Sequence, residues 1–170
     1  LFKTNIMALI KKIKDRKVNI EFNKEFIKVI NEKIRSQDSD FLAKSLKELL
    51  PADSADIIEN LSTENRSKLI ELEGFSIDPE IFIELKESIQ TEIFIILSTA
   101  SIVNILRRLE SDNALKILEN LDEEKKNIVL EKLPPRDRFL LEEGLSYPED
   151  SAARIMQREF TAIPSNWSVG

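Results

Sequence analysis

Cysteine and histidine are absent from this 170-residue chain, and glycine (three), tyrosine (one) and tryptophan (one) are scarce. Without cysteine there are no disulfides and no thiolate chemistry. Without histidine there is no imidazole catalysis, and no zinc site of the kinds that need Cys or His. A reducing compartment is compatible with the missing cysteines. Gly74, Gly144 and Gly170 stand far apart, which rules out a glycine-rich phosphate loop. Long apolar runs are also missing. The longest uncharged run, residues 93–106, has fourteen residues and includes Ser98, Thr99, Ser101 and Asn104. A bilayer span needs about twenty mostly apolar residues, so this run reads as a buried helix pair. Residues 1–13 are apolar and basic but have neither a small-residue cleavage site nor a long apolar core, so no signal peptide is expected.

What the chain does have is a beat of twelve. Stepping from Leu49 gives Leu61, Glu73, Leu85, Leu97, Leu109, Leu121, Leu133 and Leu145, so eight of nine positions are leucine. Three residues earlier stand Leu46, Ile58, Ile70, Phe82, Phe94, Leu106, Leu118, Leu130 and Glu142, and one before those stand Ser45, Ile57, Leu69, Ile81, Ile93, Ile105, Ile117, Val129 and Leu141. These 27 slots hold 24 apolar residues, where a 42% hydrophobic composition would place about 11 by chance. The spacing i, i+1, i+4 aligns three apolar side chains on one helical stripe. Twelve residues make only about two turns and a connection, too little to be stable alone in water, so each unit must stack on others. The fold expected is all-α: a right-handed superhelix, or α-solenoid, of short stacked helices with one continuous core. The missed beats, Glu73 beside Gly74 and Glu142 after Pro134-Pro135, mark places where the superhelix should bend or end.

The joints carry matching punctuation. Asp38 and its neighbours offer N-caps to the first regular unit, and Ser62 and Asp122 offer them later on, the last adjoining the acidic pair Glu123-Glu124. Pro51, Pro79 and the Pro134-Pro135 pair stop or start helices, and Gly74 is a C-cap candidate. Ile57 to Glu64, reading IIENLSTE, recurs as ILENLDEE at Ile117 to Glu124, five beats later. Residues 1–36 lie outside the beat, yet Phe22, Phe26, Ile27, Ile30 and Ile34 trace a stripe, so one or two entry helices should cap the array. Residues 37–146 form the repeat region. From Tyr147 the character changes, and residues 147–170 read as a linker and a short extended segment opening a further domain.

Charge divides along the same lines. Residues 1–36 carry ten Lys/Arg against four Asp/Glu, and residues 37–170 carry 15 against 27. A repeat region of that sign is no nucleic-acid surface and suits cations or basic partners. Catalysis would have to rest on carboxylate pairs such as Asp53/Asp56, Glu142/Glu143 or Glu149/Asp150, which read more simply as solvated faces or helix N-terminal charges; an enzyme is not expected. The Asp38-Ser39-Asp40 run fails as a calcium loop, since Ala43 stands where the sixth-position glycine belongs and Leu49 where the bidentate Glu belongs. A Mg²⁺ site asks for less: one or two carboxylates and retained water.

Leu50-Pro51-Ala52-Asp53-Ser54-Ala55-Asp56, leading into Ile57-Ile58-Glu59-Asn60-Leu61, resembles the "HPAD-x-AD-x-x-E-x-L" opening of the N domain of MgtE magnesium transporters. Leu145-Ser146-Tyr147-Pro148-Glu149-Asp150-Ser151-Ala152-Ala153-Arg154-Ile155-Met156 resembles that family's "LSYPEDSAGRLM", the link into its first CBS domain. Phe160 to Pro164 and Trp167 to Val169 are similar to that domain's first strand and turn. The resemblance covers roughly residues 37–170. It implies a regulatory, Mg²⁺-sensing domain on the cytoplasmic side of the cell membrane, partnered in the full-length protein by its own CBS domains, a transmembrane pore domain and a second copy as a homodimer. Mg²⁺ between N and CBS domains would hold the pore shut. The same resemblance places a metal ligand on Asp112, which could otherwise be an ordinary N-cap. It also places Lys116 where the family has a second acid, and Ala153 where it has glycine. The rival reading is a non-enzymatic scaffold like the flagellar rotor protein FliG, which would continue with helical repeats after Leu145.

Overall fold

The computed structural model describes residues 20–73 and 77–157. The described residues contain eleven helices and no strand: α1 (Ile20–Arg35), α2 (Ser39–Glu48), α3 (Pro51–Glu59), α4 (Thr63–Glu73), α5 (Pro79–Glu84), α6 (Glu87–Ile96), α7 (Thr99–Leu106), α8 (Ser111–Glu119), α9 (Glu123–Lys132), α10 (Pro135–Ser146) and α11 (Ala152–Ile155). The expected entry cap is α1, which buries Phe26, Ile30 and Ile34. Gly74 and the extended segment expected from Phe160 onward lie outside the described residues.

Each beat is one helix, and the recurring leucine is its stopper. Leu49, Leu85, Leu97 and Leu133 are C-caps with extended backbone, ψ between 138° and 160°. That ψ ends the helical hydrogen-bond ladder while the leucine side chain turns inward. All four are buried, as are Leu61 and Leu121, which come directly after the C-caps Asn60 and Asn120. The two preceding beat positions supply the core itself: Ile58, Phe82, Leu118, Leu69, Ile93, Ile117 and Val129 are all fully enclosed. Burial of each such side chain contributes about 1.5–3 kcal/mol relative to exposure.

The next helix begins within two or three residues, on the caps the sequence indicates. Asp38 accepts from Phe41 N, Ser62 from Asn65 N, Asp78 from Glu80 N, Ser98 from Ser101 N and Asp122 from Lys125 N, while Pro51, Pro79 and Pro135 occupy first helical positions. The missed beat at Glu142 is no bend: it lies within α10, exposed, with its carboxylate 2.7 Å from Arg138 Nε. The slot holds an exposed i, i+4 ion pair, and among the described residues α10 is the last long helix.

Helices pack chiefly on the second neighbour along the chain, α2 on α4, α3 on α5, α4 on α6, α7 on α9 and α8 on α10, with α1 against α2 and α4. The spatial repeat is thus two beats, 24 residues. Polar side chains keep the same period. Arg66 Nε donates to Ile58 O (3.1 Å) and its Nη2 to Leu61 O (3.0 Å); 24 residues later Gln90 Nε2 donates to Phe82 O (2.7 Å) and Leu85 O (3.0 Å). Outside that 24-residue period, Lys125 Nζ donates to Phe94 O and Leu97 O. Carbonyls at helix C-termini, which have no intrahelical partner, are satisfied from a later helix, so two-turn helices can be buried without orphaned groups.

Candidate functional site

The residue singled out by sequence lies at the end of the array. In α8 the N-cap is Glu110, whose carbonyl accepts from Ala114 N at 2.9 Å; Asp112 is the second helical residue, so an N-cap role is not what it serves. Its carboxylate is compatible with the positive helix N-terminus, but its Oδ1 is buried and accepts no hydrogen bond among the described residues. Such an oxygen is costly to leave unmet.

Helical spacing sets what stands beside it. Leu115, Lys116 and Glu119 lie at i+3, i+4 and i+7 from Asp112 and share its face. Opposite them runs the exit segment after α10, and the two sides enclose a cleft of about 230 Å³ completed by Glu149, Arg154 and Ile155. Leu115 forms a buried floor, Glu149 is exposed, and Lys116 is exposed with its Nζ 3.5 Å from Asn113 Oδ1. The cleft therefore holds three carboxylates and two cations.

Arg154 is the buried cation. Its side chain is only 9% exposed. Nε donates to Glu119 Oε1 at 2.6 Å, and Nη1 donates to Gly144 O (3.2 Å), Leu145 O (2.5 Å) and Tyr147 O (3.0 Å). It caps the C-terminus of α10 and ties the exit segment to α8. Ser151 starts α11 by accepting from Arg154 N at 3.3 Å. Ala153 lies inside that short helix, and no described non-glycine residue other than Gln37 has a positive φ, so the backbone here does not require the family's glycine.

No group of three or more Asp and Glu side chains converges closely enough to hold a metal ion by itself among the described residues. Asp112, Glu119 and Glu149 line one cleft without forming a cage, and one Glu119 oxygen already serves Arg154. Oxygen donors of this kind suit a hard cation that keeps most of its water and takes further ligands from another surface. Asp112, the residue that the family resemblance points to, lines this cleft. Glu119, Glu149 and Arg154 were not singled out as one site. The signal was partly there for Glu119, seven residues and two turns beyond Asp112, whereas Arg154 meets Glu119 across 35 residues and a fold.

Beyond α10 the chain makes a turn and a four-residue helix rather than another repeat, unlike the continuing array a rotor-type scaffold would have. Among the described residues no helix is long and apolar enough to cross a membrane. The model of the MgtE intracellular N domain matches residues 49–150, more than half of the chain. The fold is similar to the crystal structure of the soluble part of a magnesium transporter, with a TM-score of 0.71 and 20% sequence identity over 85% of this chain. The chain spans 57% of that structure's length. No curated protein sequence matches it.

Proposed function

This chain belongs to the MgtE intracellular N domain family, and on that premise we propose that it is the regulatory, magnesium-sensing part of a magnesium transporter. Residues 37–146 are the sensing array and residues 147–170 the link into a CBS domain. Mg²⁺ acts as a regulatory ion between the array and that adjoining domain, on the cytoplasmic side of the membrane. The domain carries out no catalysis; its output is a change in how it associates with its CBS partners, and through them with a dimeric pore.

One observation carries this reading: Asp112 lines a cleft at the end where the array hands over to the link, and among the described residues its buried Oδ1 has no hydrogen-bond partner. Asp112 is the residue that would touch the ion or its bound water. Lys116, in place of a second acid, lowers the local negative charge, so fewer ligands come from this chain and more from the surface it meets. Two acidic surfaces repel when brought together, and a divalent ion between them removes that repulsion. The ion shifts the equilibrium because it binds the associated state better than the separated one.

The test is a Mg²⁺ titration of the protein extended through its CBS pair, monitored by small-angle scattering and protease protection. Compaction at millimolar ion, lost in Asp112→Asn, is expected. An unchanged scattering profile would sink the sensing role.

A further inference from the structure

Arg154 does two things with one guanidinium. Three carbonyls at and just beyond the C-terminus of α10 receive Nη1, and Glu119 of α8 receives Nε. The first set closes the exit turn on itself; the second fixes that turn against the array. Without the Glu119 bond the exit segment would remain a capped turn, and it would lose the one ion pair between Arg154 and α8 among the described residues. Glu119 is also the more open partner, with its side chain 35% exposed, and it lines the same cleft as Asp112.

We infer that Arg154 is a positioning residue that sets the direction in which the chain leaves the array, and that Arg154 and Glu119 form a latch which a divalent cation in the Asp112 cleft opens. The second half rests on the magnesium reading above. A cation drawn to Asp112 repels the guanidinium and attracts the Glu119 carboxylate, so both of its effects weaken the pair. The carbonyl acceptors are neutral and feel no such attraction to the cation, so these bonds are weakened less than the pair with Glu119. The exit segment thus changes its attachment to α8 without losing its own turn, and ion occupancy becomes a change in aim rather than in folding.

The test is nuclear magnetic resonance of the Arg154 Nε–Hε signal in the protein extended through its CBS pair, with Mg²⁺ alone as the probe. In the wild type the paired Nε–Hε should exchange slowly with water. Glu119→Gln should speed that exchange about fivefold while thermal unfolding stays close to wild type. Millimolar Mg²⁺ should move the wild-type signal toward that of Glu119→Gln and leave the variant's own signal in place. An Arg154 signal indifferent to Glu119→Gln overturns the latch. If Mg²⁺ shifts Asp112 resonances but not Arg154, the coupling is wrong while the sensing reading stands. If Mg²⁺ shifts neither although Glu119→Gln frees Arg154, ion control fails and the positioning role survives.

Discussion

Two joints of this molecule are nearly the same in sequence and in backbone, and differ in what lies against them. IIENLSTE at Ile57 to Glu64 and ILENLDEE at Ile117 to Glu124 each end a helix at Glu, cap it with Asn at φ/ψ near −84°/−3° and −82°/−4°, and bury the next leucine. At the first joint Glu59 is 11% exposed and grips the start of α6, accepting from Lys86 N at 2.8 Å and pairing with Lys86 Nζ at 2.6 Å. A later helix, α6, has covered it. At the second joint Glu119 remains 35% exposed, because the exit segment lies there in place of another full repeat. Ala52 and Asp56 of the first joint become Asp112 and Lys116 of the second. The repeat supplies one scaffold twice; where stacking stops, the same glutamate faces a cleft rather than a neighbouring helix.

The comparison breaks first at the arginine just beyond the first joint. Arg66 donates to three carbonyls and pairs with Glu92 at 2.5 Å, nearly enclosed. Arg66→Met should cost about 3–5 kcal/mol in urea unfolding, since it strands Glu92 and the C-terminus of α3. Its counterpart sixty residues on, Lys126, pairs among the described residues with the exposed Glu123, and Lys126→Ala should cost about 1 kcal/mol, chiefly for its largely buried stem. Equal losses would mean that the two joints are not energetically distinct.

Next comes Glu59→Gln, which removes a carboxylate that caps α6, with an expected loss of about 1 kcal/mol. Burial alone would raise the Glu59 pKa. The hydrogen bonds from the Lys86 side chain and backbone, with the charges of Lys86 and Arg66, outweigh that and hold it below its usual 4.5. A carboxylate with a depressed pKa stabilises the fold above the unfolded value, and that contribution is lost as pH falls through the folded one. The wild-type advantage over Glu59→Gln should therefore be full at neutral pH and fade below about pH 4.5. A difference that does not shrink as pH falls below about 4.5 in paired unfolding curves would count against this account.

At Asp112 a small stability effect is expected. Asp112→Asn gives up a favourable helix-terminus charge and leaves an unmet amide atom at the buried position, so stability without metal should fall by no more than about 1 kcal/mol. Its Mg²⁺ response should vanish. Ala52→Asp, which places an acid at the equivalent point of the first joint, should gain no such response, because no exit segment forms a second wall there. Thermal shifts with and without Mg²⁺ on the CBS-containing protein decide both.

The array was legible because it is local: a stripe at i, i+1, i+4 and a cap every twelve residues are properties of short segments. Helix stopping by leucine was not, since a leucine at a C-cap differs from one in a helix only by its ψ. The site was legible in one residue. Asp112 emerged from the family resemblance, whereas Glu119 shares its string with Glu59 and nothing local distinguishes them. Arg154 sits among PEDSAAR and looks like a solvent-facing charge until α10 and α8 are in place.

Packing on the second neighbour has a consequence for how such a domain can vary in length. Odd and even helices form two interleaved rows, so removing or duplicating 24 residues returns every remaining helix to its own row and its own kind of partner. Removing twelve would exchange the rows: a helix built to receive Arg66 or Gln90 would meet a face that presents neither. Growth or loss of this array by single beats is therefore disfavoured, and by pairs of beats permitted, with the exit cleft carried intact at the end whichever number of pairs precedes it.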